Sequence, residues 1–374
     1  MPGIYIHIPF CHKACIYCDF HFSTSLKNKS GLLKSMLTEH ELRKDYLGHE
    51  PVETIYFGGG TPSVLNQAEL LSLLNQVYAL HKVSETPEIT LECNPDDLNG
   101  AYLKELKAAG INRLSIGLQS FNEEELKWMN RNHTAVQAED CVKKAQDAGF
   151  SNISIDLIYG SKFQTNQLWL DNLNKAFDLN VQHLSAYNLT VEMKTTLGHL
   201  VKKGEEAETD DQLSATQFNT LMQAAKRNGF IHYEISNFCK EGFYSRHNSS
   251  YWKGAKYLGL GPSAHSFNGT SRQWNISNNN LYIKKINEGI VPAETEELTT
   301  EQAYNEYILT SLRTMWGTAP HYIQGTFGDK YLDHFTKKIE PYVHSGHALL
   351  QGNYFVLSDK GKLLADRIAS DLFI

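Results

Sequence analysis

Short apolar runs alternate with amphipathic segments along the first half of the chain. The segments 68–80 (AELLSLLNQVYAL) and 101–110 (AYLKELKAAG) have helical periodicity, and the second ends in glycine, a common helix stop. Six successive βα units predict an α/β fold with a parallel sheet, either open or curled into a barrel. The apolar runs that predict the strands are 4–8 (IYIHI), 54–60 (TIYFGGG), 88–93 (EITLEC), 113–119 (RLSIGLQ), 153–160 (ISIDLIYG) and 183–189 (HLSAYNL).

Polar and glycine residues cluster where the predicted strands end. In parallel α/β folds, ligands bind at the carboxyl ends of the strands. We therefore expect the residues at these ends to share one site. They are three cysteines after the first strand, GGGTP (58–62) after the second, Glu92 and Asn94 at the third, Gln119 at the fourth and Asp156 near the end of the fifth.

The pattern changes in the second half of the chain. Residues 231–295 are rich in aromatic residues and glycine, whereas residues 296–374 begin with a helical segment and end in a hairpin-like segment that leads into a helix. These changes predict a β/α core in residues 1–230, an extension in 231–295 and a small, mainly helical domain in 296–374. A winged helix is one candidate for the last part.

The composition is that of a globular protein with a negative net charge. Of the 374 residues, 41% are hydrophobic and 21% are charged, and the formal net charge is −7. A protein that binds mainly nucleic-acid phosphates is usually basic, so nucleic acid is a poor candidate partner. We expect a cytoplasmic protein, because no apolar run reaches membrane-spanning length and the N-terminal MPGIYIHIPF lacks the features of a secretory signal.

Cys11, Cys15 and Cys18 lie within eight residues, in the spacing C-x3-C-x2-C. A structural zinc site usually takes four ligands, so zinc would need His12 or His21 to complete the set. A [4Fe–4S] cluster is held by cysteine thiolates, and three of them leave one iron open for another ligand. The spacing favours the cluster. The other three cysteines are most simply small buried side chains, and they are Cys93, Cys141 and Cys239.

The motif CxxxCxYC resembles that of the radical S-adenosylmethionine (SAM) superfamily. The segments YFGGGTPS, LECNPD, LSIGLQSF and IDLIYG are further similar to oxygen-independent coproporphyrinogen III oxidases and their relatives. The resemblance implies a partial (β/α)6 barrel of the TIM type, with SAM bound to the open iron of the cluster. It implies that SAM is contacted by Tyr5, Tyr17, Gly59, Gly60, Thr61, Glu92, Gln119, Arg131 and Asp156.

Several of these residues have simpler explanations when the resemblance is set aside. Asp156 is equally compatible with a helix N-cap, and Glu92 and Arg131 with solvated surface charges. Tyr5 alternates with Ile4 and Ile6, which is compatible with core packing.

Two functions from different classes are compatible with this family. One is the oxidase of porphyrin biosynthesis, which decarboxylates two propionates of coproporphyrinogen III. The other is a heme chaperone of the same family, which delivers heme to acceptor proteins. The oxidases usually carry a further cysteine where this chain has Phe20. They also have an N-terminal extension before the first strand, which we expect this chain to lack because Tyr5 already lies in the first predicted strand.

The segment RHNSSYW (246–252) favours the chaperone, because its HNxxYW motif is similar to that of the chaperone group. Imidazole is a common axial ligand of heme iron, so His247 is a candidate ligand, with a hydrogen-bonded loop histidine as the alternative. Tyr251 and Trp252 offer flat apolar surface to a porphyrin, and Arg246 offers a partner to a propionate.

We therefore expect a protein that binds heme, with a [4Fe–4S] cluster and SAM as cofactors. Enzymatic activity stays open, including radical chemistry on another tetrapyrrole. The expected partners are heme-accepting proteins such as membrane cytochromes. A homodimer or a transient contact with a membrane would suit a carrier.

Overall fold

The computed structural model describes residues 2–374 of the chain. Within them, twelve strands form one sheet whose centre is six parallel strands in sequence order. The predicted βα pattern is confirmed, since every apolar run noted in the first half forms a strand. These strands are β1 (Gly3–Ile8), β2 (Val52–Gly59), β3 (Val83–Cys93), β4 (Arg113–Gln119), β5 (Ile153–Tyr159) and β6 (His183–Asn188).

Helices connect the parallel strands and cover their outer face. Asn66 and Thr134 begin two of these helices with capping boxes, in which the side chain at N3 bonds back to the cap. The helices are α1 (Lys29–Leu42), α2 (Gln67–Leu80), α3 (Gly100–Ala108), α4 (Glu123–Trp128), α5 (Ala135–Asp147), α6 (Asn166–Asp178), α7 (Thr196–Lys202) and α8 (Asp211–Arg227), with short 3-10 turns at Pro62–Val64 and Pro95–Asp97.

The two faces of the parallel strands differ in polarity. Alternate residues point to opposite faces of a strand. On β1, Ile4, Ile6 and Ile8 are buried in the main hydrophobic core, whereas Tyr5 and His7 face the inside of the barrel. The same alternation holds on the next strands, where the core takes Ile55, Phe57, Ile89, Leu91, Leu114, Ile116, Ile153, Ile155 and Leu184. The side chains that face the interior of the barrel are therefore polar, and they are Tyr56, Thr90, Glu92, Arg113, Ser115, Ser154, Asp156, His183 and Ser185.

The sheet continues beyond both ends of the parallel set. Strand β9 (Tyr257–Leu260) lies parallel beside β1, and β8 (Asn237–Cys239) lies antiparallel beside β6. The parallel strands therefore form a partial barrel of the predicted type. The elements of this extension are β7 (Ile231–Glu234), β8 (Asn237–Cys239), α9 (Arg246–Trp252), β9 (Tyr257–Leu260), β10 (His265–Phe267), β11 (Ser271–Asn275), α10 (Asn279–Asn287) and β12 (Ala293–Glu297).

A buried carboxylate ties α1 to this extension. The Glu39 side chain has no exposed surface, and it accepts hydrogen bonds from Arg43 Nη1 at 2.9 Å and the Gly261 amide at 2.8 Å. Asn275 Nδ2 donates at 2.7 Å and the Tyr282 hydroxyl donates as well. Every oxygen lone pair of the carboxylate thus has a protein donor, as a buried charge requires.

The last part of the chain has a hydrophobic core of its own, which includes Tyr304, Ile308, Phe335 and Ile368. Thr318 and Phe355 exchange two backbone hydrogen bonds, so that a single bridge joins the segment after α11 (Thr300–Leu312) to the hairpin of residues 348–357. This order of helix, bridge, two helices and hairpin is that of a winged helix. The elements are α11 (Thr300–Leu312), α12 (Pro320–Phe327), α13 (Asp329–His344), β13 (Ala348–Gln351), β14 (Tyr354–Leu357), α14 (Asp359–Lys362) and α15 (Ala365–Asp371).

Among residues 2–374, none of the helices combines the length and the apolarity that crossing a bilayer requires.

We predict that Glu39→Ala lowers the free energy of unfolding by about 3–5 kcal/mol, because it leaves the Arg43 guanidinium buried without its carboxylate. Glu41→Ala on the same helix is the matched control, since Glu41 is exposed and pairs only with Lys44. The control should stay within about 0.5 kcal/mol of the wild type. Urea unfolding followed by circular dichroism measures both, and equal losses would contradict the assigned role of Glu39.

Candidate functional site

A cavity of about 470 Å³ opens at the carboxyl ends of the parallel strands. Its volume lies in the range of small-molecule and cofactor sites. It collects residues from the loops after β1 to β6, as the strand-end rule predicts. Of the residues predicted from the sequence, it is lined by Cys11, Cys15, Tyr17, Cys18, Gly59, Gly60, Thr61, Glu92, Gln119, Arg131 and Asp156.

The cysteine loop is held in place by backbone hydrogen bonds at both ends. The Cys11 amide donates to Ser23 O at 3.0 Å, and the Ser23 amide donates to Pro9 O at 2.9 Å. The middle of the loop rests on the turn after α4, where Asn130 Nδ2 donates to Ala14 O at 2.6 Å. Contacts with the scaffold therefore position the loop at its ends and in its middle.

The surroundings of the cysteine sulfurs are compatible with a cluster. Thr61 Oγ1 donates to Cys11 Sγ at 3.3 Å, and Arg131 Nη1 donates to Cys15 Sγ at 3.3 Å. Burial raises the pKa of Cys11 and Cys18 to about 11, so the thiolates need a positive partner such as iron. Hydrogen bonds to ligand sulfurs are usual around iron–sulfur clusters. The donor set therefore fits the group.

The zinc alternative finds no support in the arrangement of the side chains. Within residues 2–374, no three His, Cys, Asp or Glu side chains come together as ligands of a single ion. His12 Nε2 instead lies 3.3 Å from Asp97, and His21 Nε2 lies 2.7 Å from Asn279 Oδ1. A [4Fe–4S] cluster has no such requirement, because each thiolate binds a different iron.

The three remaining cysteines are buried, as predicted. Cys93 and Cys141 belong to the main hydrophobic core between sheet and helices, so they take no part in the cysteine loop.

The glycines after β2 allow two loops to approach each other. Gly59 has φ +106°, and a Cβ there would come within 2.6 Å of the His7 ring. A Cβ on Gly60 would come within 2.8 Å of backbone atoms of Ile8 and Phe10. Only glycine satisfies both positions, and the Thr61 amide consequently reaches Phe10 O at 2.7 Å.

Two carboxylates line the floor of the cavity. Glu92 accepts from the Tyr56 hydroxyl at 2.8 Å and from the Gly59 amide at 3.2 Å. Asp156 accepts from Ser115 Oγ at 3.4 Å. Burial raises the pKa of Glu92 to about 7 and that of Asp156 to about 6. The negative charge of Asp156 raises the pKa of Glu92 further. A cationic ligand such as SAM would relieve this cost.

Asn94 was placed at a strand end from the sequence but was not singled out as a site residue. Its Oδ1 accepts from Arg131 Nη2 at 2.8 Å, and its Nδ2 donates to Thr61 Oγ1 at 3.3 Å. Arg131 Nη2 also donates to Gly117 O at 2.7 Å. The amide thus joins the two side chains that donate to cysteine sulfurs.

Tyr5 lies below the cavity rather than on its lining. Its hydroxyl is 3.2 Å from His7 Nδ1, and its ring stacks near Tyr56 and His247. A direct contact between Tyr5 and SAM stays a prediction.

His247 is buried near the amino ends of β1 and β2, away from the cavity. Nδ1 is 2.7 Å from Thr54 Oγ1, and Nε2 is 2.6 Å from the Tyr251 hydroxyl. Burial lowers the pKa of His247 to about 3, so the ring is neutral, with one nitrogen donating and the other accepting. Neither nitrogen is free for a metal in this conformation.

The rest of the HNxxYW motif is also engaged. Arg246 Nη2 pairs with Glu53 at 2.6 Å, and the backbone amides of Arg246 and His247 donate to Glu88 at 3.1 and 3.0 Å. Trp252 lies on the other side of α9, where the Arg313 guanidinium stands 5.7 Å from its ring centre. Helix α9 therefore bridges the barrel and the C-terminal helices.

Residues 5–176 match the Radical SAM superfamily. The chain is 33% identical over 371 residues to the heme chaperone HemW of Bacillus subtilis (strain 168), and the match covers 98% of each chain. It is 36% identical over 268 residues to the heme chaperone HemW of Escherichia coli (strain K12), which covers 70% of this chain and 69% of that protein.

Among solved structures, the coproporphyrinogen III oxidase HemN of Escherichia coli, a radical SAM enzyme, is similar with a TM-score of 0.86. The two chains are 23% identical, and the match covers 100% of this chain and 90% of that one. This likeness establishes the shared fold.

We predict that Cys11→Ser, Cys15→Ser and Cys18→Ser each abolish the absorbance at about 400 nm that clusters of this class show. Cys93→Ala is the control and should keep the band, because Cys93 lies in the apolar core. Absorbance and iron content after anaerobic reconstitution measure both. Retention of the band in all three serine variants would refute the assignment.

We also predict that SAM binding to the cluster-loaded protein strengthens between about pH 6 and about pH 8. Below its pKa of about 7, Glu92 is protonated in the free protein, and a cationic ligand must first displace that proton. Affinity therefore rises as Glu92 ionises. Glu92→Gln should weaken SAM binding and remove most of its pH dependence. Glu124→Gln, at an exposed position, should keep the pH dependence of the wild type. A flat wild-type profile in equilibrium dialysis would contradict this role.

Proposed function

We propose that this chain, which belongs to the HemW family of the radical SAM superfamily, binds heme and transfers it to acceptor proteins. The observation that carries the proposal is the end-to-end likeness to proteins named heme chaperone HemW. The cavity supports it, because all the residues expected for a radical SAM cofactor site except Tyr5 line one space.

The proposed cofactors are a [4Fe–4S] cluster on Cys11, Cys15 and Cys18, and SAM on the open iron. When bound, the cluster supplies an electron that can cleave the SAM sulfonium. Gly59 and Gly60 would allow the ligand to approach the backbone closely, and Glu92 and Asp156 would supply negative charge to a cation.

The oxidase is the alternative, and Phe20 weighs against it. Phe20 takes the position at which the oxidases usually carry a further cysteine, and it lies at the cavity with 71% of its surface exposed. An exposed aromatic ring offers apolar contact to a flat macrocycle but no thiol. This supports a binding role at the mouth of the cavity.

Ligation of heme iron by His247 is proposed only for an opened conformation. Iron could reach a ring nitrogen only after the ring leaves Thr54 or Tyr251. If His247 is the ligand, opening precedes ligation, so the observed rate should become independent of heme concentration at high heme. The cytoplasmic location, the homodimer and the delivery to membrane cytochromes also stay predictions.

We predict that the cluster-loaded wild type binds about one heme per chain, with a saturable Soret shift in an anaerobic titration. His344→Ala, at an exposed histidine of α13, should behave as wild type. Loss of the Soret shift in His247→Ala, with the circular dichroism spectrum unchanged, would support His247 as ligand, whereas an unchanged shift would show that prediction to be wrong. If the wild type fails to bind heme, the carrier proposal fails, and turnover of coproporphyrinogen III becomes the assay for the oxidase.

A further inference from the structure

We propose that Asn94 is a positioning residue that holds the hydrogen-bond donors of two cysteine sulfurs and thereby raises the reduction potential of the cluster. The inference rests on the proposed function, since it requires the cluster on the three cysteines. It concerns a residue that contacts none of the three sulfurs by a hydrogen bond and acts through Thr61 and Arg131.

The side-chain amide of Asn94 lies between the two donors. Its Nδ2 donates to Thr61 Oγ1 at 3.3 Å, and Thr61 Oγ1 in turn donates to Cys11 Sγ at 3.3 Å. Its Oδ1 accepts from Arg131 Nη2 at 2.8 Å, while Arg131 Nη1 donates to Cys15 Sγ at 3.3 Å. Both chains of hydrogen bonds end on a sulfur.

The chemistry of the partners fixes the orientation of the amide. Arg131 can only donate, so the amide oxygen must face it. The Thr61 hydroxyl donates its only proton to Cys11 Sγ, so its oxygen can only accept a hydrogen bond from Asn94. A rotated amide would lose both hydrogen bonds, and an aspartate could serve Arg131 but would have no proton for Thr61.

The backbone around Asn94 is anchored independently of its side chain. The Asn94 amide N–H donates to Ser63 Oγ at 3.1 Å, and Ser63 donates to Asp97. Arg131 keeps its hydrogen bond to Gly117 O at 2.7 Å whatever stands at position 94. Truncation of the Asn94 side chain therefore leaves the loops that carry Asn94 and Arg131 in place. Its main effect is to loosen the two side chains, Thr61 and Arg131, that donate to cysteine sulfurs.

The sign of the effect follows from charge. Reduction adds a negative charge to the cluster, and hydrogen bonds to the sulfurs together with the Arg131 cation stabilise that charge. Aligned donors therefore favour the reduced state, and their loss shifts the midpoint to more negative values. A chain of hydrogen bonds also polarises its members, so Asn94 strengthens the Thr61 donor.

The experiment is an anaerobic redox titration of the reconstituted protein without SAM, followed by electron paramagnetic resonance of the reduced cluster. Omitting SAM removes any effect of lost SAM contacts. For Asn94→Ala we expect the ratio of reduced to oxidised cluster at a fixed potential to fall about tenfold, which is about 59 mV for a one-electron couple. Asn94→Asp should lower this ratio at least as much, because aspartate cannot donate to Thr61 and adds a negative charge.

Asn132→Ala is the matched control. Asn132 lines the same cavity, but its side chain bonds to Asp96 rather than to a sulfur donor. Its midpoint should equal that of the wild type. An unchanged midpoint in Asn94→Ala, at full iron content, would overturn the proposal.

Thr61→Val provides a second route if Asn94→Ala fails to hold the cluster. Valine keeps the shape of threonine but removes the donor to Cys11, so we expect a shift in the same direction. Because Asn94 acts partly through Thr61, Thr61→Val with Asn94→Asp should shift the midpoint by less than the sum of the single shifts. Full additivity would overturn the proposal. If the wild type forms no three-cysteine cluster, the proposed function fails instead.

Discussion

The opposite polarity of the two faces of six parallel strands is the constraint on which the rest of the structure depends. Ile4 and Ile6 bind β1 to the helices, and the residues between and after them, Tyr5 and His7, face the interior. Because the side-chain period of a strand is two, a register shift of one residue would exchange these sets. The same pattern that builds the core therefore also delivers polar side chains to one space.

The buried carboxylates of the barrel interior favour a bound cation, because no ion pair within the protein offsets their burial in full. Glu92 and Asp156 have raised pKa values, and Arg113, which is buried below them, lowers both only in part. Arg113 Nε and Nη1 have no hydrogen-bond partner among the described side chains and backbone. Burial of the two carboxylates thus carries an electrostatic cost that a cationic ligand would reduce, and perturbed pKa values of this kind cluster at functional sites.

Local patterns predicted the strands and the cysteine loop because their determinants are close in sequence. The three thiols lie within one loop, and the apolar runs define β1 to β6. The connections of Asn94 could not be predicted in this way. Its partners come from the loops after β2 and α4, and only the curvature of the sheet brings them together. Strand β9 was missed for a similar reason, since YLGL is short and joins β1 from far along the chain.

The HNxxYW motif shows how a motif can be correct as a family marker and still leave its chemistry open. A histidine beside aromatic residues suggested a ligand, but the structure surrounds it with Thr54, Tyr251 and the Glu88 carboxylate at the start of α9. The motif therefore docks α9 on the amino ends of β2 and β3, while Trp252 contacts the C-terminal helices. Its position lies at the opposite end of the barrel from the cysteines. If heme engages His247, the ring must leave either Thr54 of the barrel or Tyr251 of α9 itself. Release from Thr54 would remove one of the contacts that dock α9 on the barrel, so heme binding and the docking of α9 would be linked.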